Sequence, residues 1–267
     1  RLHREYMSDG RIQLLDFWSR RARAILPTAA TVLVVIALLT TLTVDRVSLI
    51  EIRFDLVWAA LFGANIRFGL AGLNYFDAEK LSPVYNFWAL SMVEQFLITA
   101  PIFILFVHLV FFRVPMNRIP RVMAGAAVLV VVVSGIQFMS QPAGSAWQFF
   151  SLGNRAWEFA LGGLAAIIPT SNRLRQTRST PLIQVLGWAA LLALSFRSAS
   201  TTAFSPQLIA QGALVTALLL WLGAESKTIG QLQDEAQLTL AHRILLHAGS
   251  RSVSTYLWFW PIAWMLA

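Results

Sequence analysis

Long apolar runs alternate with short clusters of charge along most of this chain. From Ala24 to Val44 it reads AILPTAATVLVVIALLTTLTV, without an ionisable side chain. At about 1.5 Å of rise per residue, a helix of that length covers a hydrocarbon core of roughly 30 Å. Runs of this kind at 25–44, 87–112, 120–139, 152–169, 181–197, 206–223 and 252–267 predict membrane helices, with 152–169 and 252–267 short for the purpose. The segment 54–72, FDLVWAALFGANIRFGLAG, is different. It holds Asn65 and Arg67 and is interrupted by Gly63, Gly69 and Gly72, which predicts a re-entrant or interfacial piece.

The basic residues decide how that segment is counted. Lysine and arginine concentrate in short cytoplasmic loops. If 54–72 enters without crossing, the clusters Arg20/Arg21/Arg23, Arg113/Arg118/Arg121, Arg173/Arg175/Arg178 and Lys227/Arg243/Arg251 all fall on the side of the N-terminal tail. If it crosses, the clusters are divided and the bias disappears. The pattern therefore predicts an all-α polytopic membrane helix bundle with about seven spans plus one re-entrant or interfacial segment, its N-terminus in the cytoplasm.

Composition agrees with lipid as the solvent: 57% of the 267 residues are hydrophobic and only 13% are charged. The net charge of +8 sits in loop clusters, which points to topology and to membrane lipid, with no nucleic-acid partner. There are no cysteines, so a thiol nucleophile, a disulfide framework and thiolate metal sites are excluded. The chain begins at Arg1 and ends within the apolar WFWPIAWMLA, so it reads as truncated at both ends. The polar stretch 224–251 is the one long loop.

Within 86–106, NFWALSMVEQFLITAPIFILF, the pair Glu94 and Gln95 interrupts an otherwise apolar helix. A carboxylate there has to be neutral, paired or in a wet cavity. Its helical neighbours Leu90, Ser91, Leu97 and Ile98 include no cation, so a partner from another helix or a water-filled cavity is implied. Glu94 and Gln95 either join the bundle through interhelical hydrogen bonds or belong to an active cavity. Pro101 predicts a kink nearby. Arg155 and Glu158 share a helix face, and a pair of that kind is most often structural. Arg20, Arg21 and Arg23 suit either phosphate recognition or anchorage on acidic lipid headgroups. The four histidines show no metal-ligand spacing, so no metal is expected, and the usual local motifs of hydrolases, P-loop NTPases and zinc proteases are absent.

Four stretches together resemble the membrane acyltransferase 3 family, which O-acylates extracytoplasmic polysaccharides and related acceptors. They are FWSRRARAILP (17–27), NIRFGLAGLNYFDAEKLSPVYNFWALSMVEQFL (65–97), GNRAWEFALGGLAA (153–166) and SVSTYLWFWPI (252–262). The resemblance implies one partial membrane acyltransferase-like domain over 1–267. Its activity would be transfer of an acyl group, chiefly acetyl, from a cytoplasmic acyl-CoA to a hydroxyl of an extracytoplasmic glycan or glycolipid, in the bacterial inner membrane. It implies donor-phosphate contacts for Arg20, Arg21 and Arg23, and site roles for Trp88, Glu94 and Gln95, with Phe96, Tyr256, Trp258, Trp260 and Pro261 matching further motif positions. Val93 stands where the family has the first of two glutamates, and Phe259 where it has a histidine. The resemblance implies that the best candidate for the general base is a histidine on a helix expected upstream of Arg1. Two readings outside this resemblance are a glycan or lipid transporter and a non-catalytic membrane partner protein.

Overall fold

The computed structural model describes residues 13–73, 82–110, 118–142, 144–168, 180–199, 205–223 and 240–266, and all regular structure among them is helical. In chain order the helices are α1 (Leu14–Thr43), α2 (Arg46–Ala60), α3 (Ala64–Leu70), α4 (Phe87–Val110) and α5 (Ile119–Ser140). They continue with α6 (Ala146–Phe150), α7 (Leu152–Ile167), α8 (Thr180–Ala199), α9 (Pro206–Gly223) and α10 (Leu240–Leu266). Among the described residues three helices are long and apolar enough to cross a membrane: α1, the Phe87–Phe106 part of α4, and α5. Shorter apolar helices cover Leu182–Arg197 and Pro206–Leu222. Arg113, Arg173, Arg175, Arg178 and Lys227, on which the charge bias largely rests, lie outside the described residues.

Three boundaries differ from the hydropathy pattern, the last being that of α10, which was expected over 252–267 and begins at Leu240, inside the stretch read as a loop over 224–251. The first helix starts at Leu14, so Arg20, Arg21 and Arg23 lie on α1 itself and not in a loop ahead of it. The segment expected over 54–72 is two helices, the first beginning at Arg46. Its start is set by Asp45, whose carboxylate accepts from the backbone N–H of Val47 and of Ser48 at 3.0 Å each. The charged residues Arg46, Glu51, Arg53 and Asp55 conceal this helix from an apolar count. Helix α4 continues through Pro101.

The chain forms two compact units. One comprises Arg1–Leu73, Asp77–Arg113 and Leu245–Ala267. In it α2 and α3 pack on α4, and the motif at 82–88 meets the C-terminal motif. Trp260 Nε1 donates to the Ser82 carbonyl at 2.8 Å, Tyr256 Oη to the Asn86 carbonyl at 3.1 Å, and Asn86 Nδ2 to the Tyr256 carbonyl at 3.0 Å. The Tyr85 ring lies 5.6 Å from Trp260 and 5.4 Å from Phe68. Two sequence stretches about 170 residues apart thus form one aromatic cluster.

The other unit comprises Asn74–Phe76 and Val114–Ile244. Its main contact is α5 against α7, with α9 packed on both α7 and α8. Ser145 caps α6 and Ser151 caps α7. Ser134 of α5 donates to the Gly153 carbonyl at 2.6 Å and accepts from the Trp157 backbone N–H at 3.0 Å, fixing the start of α7. Gly187 lets α8 approach α9 closely, because a Cβ there would lie 2.7 Å from Leu219 Cδ2.

Candidate functional site

The interhelical partner that Glu94 requires is Arg21. Arg21 Nε lies 2.9 Å and Nη2 2.7 Å from Glu94 Oε1, so two guanidinium nitrogens converge on one carboxylate oxygen. Glu94 is 8% exposed, whereas the Arg21 side chain keeps 31% of its surface. One turn away, Trp18 Nε1 donates to the Leu97 carbonyl at 3.1 Å. Trp18 and Arg21 are three apart on α1; Leu97 and Glu94 are three apart on α4 in reverse order. The two contacts join one face of α1 to one face of α4.

Gln95, the next residue, points elsewhere. Its Nε2 donates at 2.8 Å to the Phe62 carbonyl and at 2.8 Å to Asn65 Oδ1, while Asn65 Nδ2 donates to Gln95 Oε1 at 3.3 Å. Phe62 is the residue at which α2 and α3 part, and its φ of 53° is in the left-handed region. The break frees a carbonyl from the helical ladder, and Gln95 satisfies it. One turn before Gln95, Ser91 Oγ accepts the Ala64 backbone N–H at 3.2 Å, the first orphan donor of α3. Gly63 allows the tight reversal, since a Cβ there would sit 2.6 Å from Trp58 Cε3. Arg67 of α3 is held by α2, with Nε 2.9 Å from Asp55 Oδ1 and Nη2 2.5 Å from Glu51 Oε2.

Beside the Arg21–Glu94 pair lies a cleft of about 380 Å³, lined by Trp18, Ala22, Ile25, Phe62, Leu97 and Ile98 together with the pair. Its walls are almost wholly apolar. The structure thus brings Glu94 and Arg21 together and places Gln95 in a separate network. Trp88, half-buried and nearly two turns before Glu94, is not part of the cleft lining. Arg20 is half-buried and Arg23 exposed on α1. Among the described residues no cluster of three or more His, Asp or Glu could hold a metal.

The arrangement sets the Arg21 guanidinium at the edge of an apolar cleft. Trp18, Ser91 and Phe62 were not marked by the sequence. Trp18 is one aromatic among ten tryptophans, and Ser91 and Phe62 act through positions visible only once α3 lies on α4. Arg155 and Glu158 do pair, Nε to Oε1 at 2.6 Å, within the second unit.

The family profile described as Acyltransferase domain (Acyl_transf_3) matches residues 7–267. The chain is 26% identical over 255 residues to the peptidoglycan O-acetyltransferase OatA of Listeria monocytogenes, covering 94% of this chain and 40% of that protein. It is also 26% identical over 264 residues to the O-acetyltransferase OatA of Staphylococcus aureus, covering 97% of this chain and 42% of that protein. The chain thus spans about two fifths of the length of these relatives. No solved structure matches it. With its span-length helices and a match across nearly its whole length, the chain belongs to the acyltransferase 3 family of multi-pass bacterial membrane acyltransferases.

Proposed function

We propose that this chain transfers an acyl group, most simply acetyl, from cytoplasmic acyl-CoA to a hydroxyl of an extracytoplasmic glycan or glycolipid such as peptidoglycan. The observation that carries the site assignment is the Arg21–Glu94 pair in the wall of an apolar cleft. Arg20 and Arg23 meet the phosphates of the donor, and the thioester arm enters the cleft past Arg21. The acceptor hydroxyl oxygen attacks the thioester carbonyl, its proton passes to a base, the C–S bond breaks, and the CoA thiolate leaves and takes up a proton. Glu94 acts on this reaction by holding Arg21 at the cleft. Gln95 and Ser91 act by holding the α2–α3 break that supplies Phe62 to the same lining.

The distribution of basic residues supports about seven spans plus one segment that enters without crossing, with the arginine end of α1 in the cytoplasm, where acyl-CoA is made.

The test is acyl transfer to a glycan acceptor by membranes containing Glu94→Gln, Arg21→Ala or Arg23→Ala protein. Loss of the Arg21–Glu94 contact is expected to lower the rate at least tenfold. Arg23→Ala is expected to raise the donor KM with kcat little changed. Unaltered kinetics in all three would overturn the site assignment.

A further inference from the structure

We infer that α2 is an interface between two copies of this chain, a parallel pair of α2 helices joined along Val47, Ile50, Phe54, Val57 and Leu61. The inference is independent of the proposed acyl transfer. These five side chains follow one another at spacings of three, four, three and four residues, the a and d positions of a heptad, with Leu61 at the C-terminal cap. Each is at least 54% exposed. Ile52, Asp55 and Ala59, the buried residues of α2, lie on the opposite side of the helix, where it meets its own unit. The helix thus has an inner face already used and an outer apolar face that nothing among the described residues covers.

Lipid would also suit an apolar stripe, but the charges beside this one decide against it. A lipid-facing surface in this chain looks like that of α1, which exposes Val34, Leu38 and Leu42 in a stretch with no ionisable side chain from Ala24 to Val44. On α2 the stripe is bordered on one side by Arg46 and Arg53, at g positions, and on the other by Glu51, at an e position, and all three are exposed. Charged groups of membrane proteins face protein or water and avoid hydrocarbon. Flanking an a/d seam, they select the partner and its direction. An antiparallel pair brings g positions together and turns the arginines of the two copies toward each other. A parallel pair brings each g position to the e position five residues further on, which sets Arg46 against the partner's Glu51 on both sides of the two-fold axis. Glu51 touches Arg67 of its own chain yet keeps 71% of its side-chain surface, enough to meet a second arginine. Parallel is also the sense open to two copies inserted with the same sidedness, since a two-fold axis along the membrane normal keeps two entering helices parallel.

The absence of cysteine lets single replacements report on the pair. The full chain, carrying Ile50→Cys, Val57→Cys or Ser48→Cys, is reconstituted in proteoliposomes and oxidised with copper phenanthroline. Ser48 is exposed but lies away from the stripe. A parallel two-fold pair brings identical residues together, so Ile50→Cys and Val57→Cys should both give disulfide-linked dimer that persists as added lipid dilutes the protein, while Ser48→Cys stays monomeric. Adding Arg46→Glu to Ile50→Cys sets acid against acid and should lower the dimer yield roughly two- to fivefold, the scale of an exposed ion pair, whereas Arg46→Lys should preserve it. Absence of dimer at Ile50→Cys and Val57→Cys would mean that lipid or another segment covers the stripe, and would overturn the interface. Equal yields at all three positions that fall on dilution would be chance collision and overturn it as well. Yields that Arg46→Glu leaves unchanged would overturn the parallel register.

Discussion

Glu94 and Gln95 are adjacent in sequence but bind different neighbours, Glu94 the Arg21 side chain of α1 and Gln95 the α2–α3 break, and the two are expected to respond differently to substitution. Removing the Gln95 amide, as in Gln95→Leu, leaves the Phe62 carbonyl and the Asn65 amide without their partner at a site where Asn65 is 1% exposed. The expected cost is about 1–3 kcal/mol, read from the thermal midpoint in detergent, with Gln95→Asn no rescue because its amide is one methylene too short. Glu94→Gln should cost less than the roughly 3–5 kcal/mol of a fully buried pair, because Arg21 retains part of its contact with solvent. The charge-reversed double variant Arg21→Glu with Glu94→Arg should recover stability that either single reversal loses. A double variant no more stable than the worse single one would show that the pair does not interact. The Glu94 anomaly was legible in the sequence because an acid in an apolar run violates a strong physical rule. Its partner was not. Three neighbouring arginines look alike in a linear reading, and only the helix register selects Arg21 over Arg20 and Arg23.

At the scale of elements, the broken α2–α3 unit is where the pattern of the sequence and the structure diverge most. Its glycine break was visible, whereas its start at Arg46 was hidden among charges that turn out to be spoken for, Glu51 and Asp55 by Arg67. Asp45 defines that start. Its hydrogen bonds to Ser48, first through the side chain and then through the backbone, draw its carboxyl below the ordinary value. A group depressed in the folded state stabilises above its unfolded value of about 3.9, and that contribution is lost as pH falls through the lower folded value. Amide hydrogen exchange at Val47 and Ser48 should accordingly accelerate relative to the helix interior only below about pH 4. Asp45→Asn should keep the cap and abolish this pH dependence, since asparagine caps helices without titrating. Gly63→Ala is expected to displace Trp58, lowering the thermal midpoint more than Gly162→Ala, where a Cβ meets nothing within 4 Å.

For the whole molecule, the sidedness argument turns on one segment, and the complete lack of cysteine makes it directly measurable. Single replacements Arg23→Cys, Arg46→Cys and Arg118→Cys lie at exposed positions beside helix ends or within the first turns. If 54–72 enters without crossing, a membrane-impermeant maleimide should reach Arg23→Cys and Arg118→Cys from the same side and Arg46→Cys from the other. Arg118→Cys labelled with Arg46→Cys would place 54–72 across the membrane and overturn the topology proposed above. The apolar runs were readable because lipid demands length and uniform hydropathy, and their helices recur within a few residues for α4, α5, α7, α8 and α9. The meeting of Trp260 with Ser82 and of Tyr256 with Asn86 was not readable from periodicity, which carries no information about partners about 170 residues away.

The Arg21–Glu94 pair also has a consequence for how the protein is made. The two residues are 73 positions apart, so α1 leaves the ribosome and enters the bilayer well before α4 exists. An acidic residue inside a helix costs the insertion machinery roughly 2.5–3.5 kcal/mol when it is alone at the centre. When α4 arrives, Arg21 is already waiting at the membrane to receive its carboxylate. The order of synthesis therefore makes α1 a chaperone in cis for α4, and a nascent chain lacking α1 should release its fourth helix from the translocon slowly or not at all.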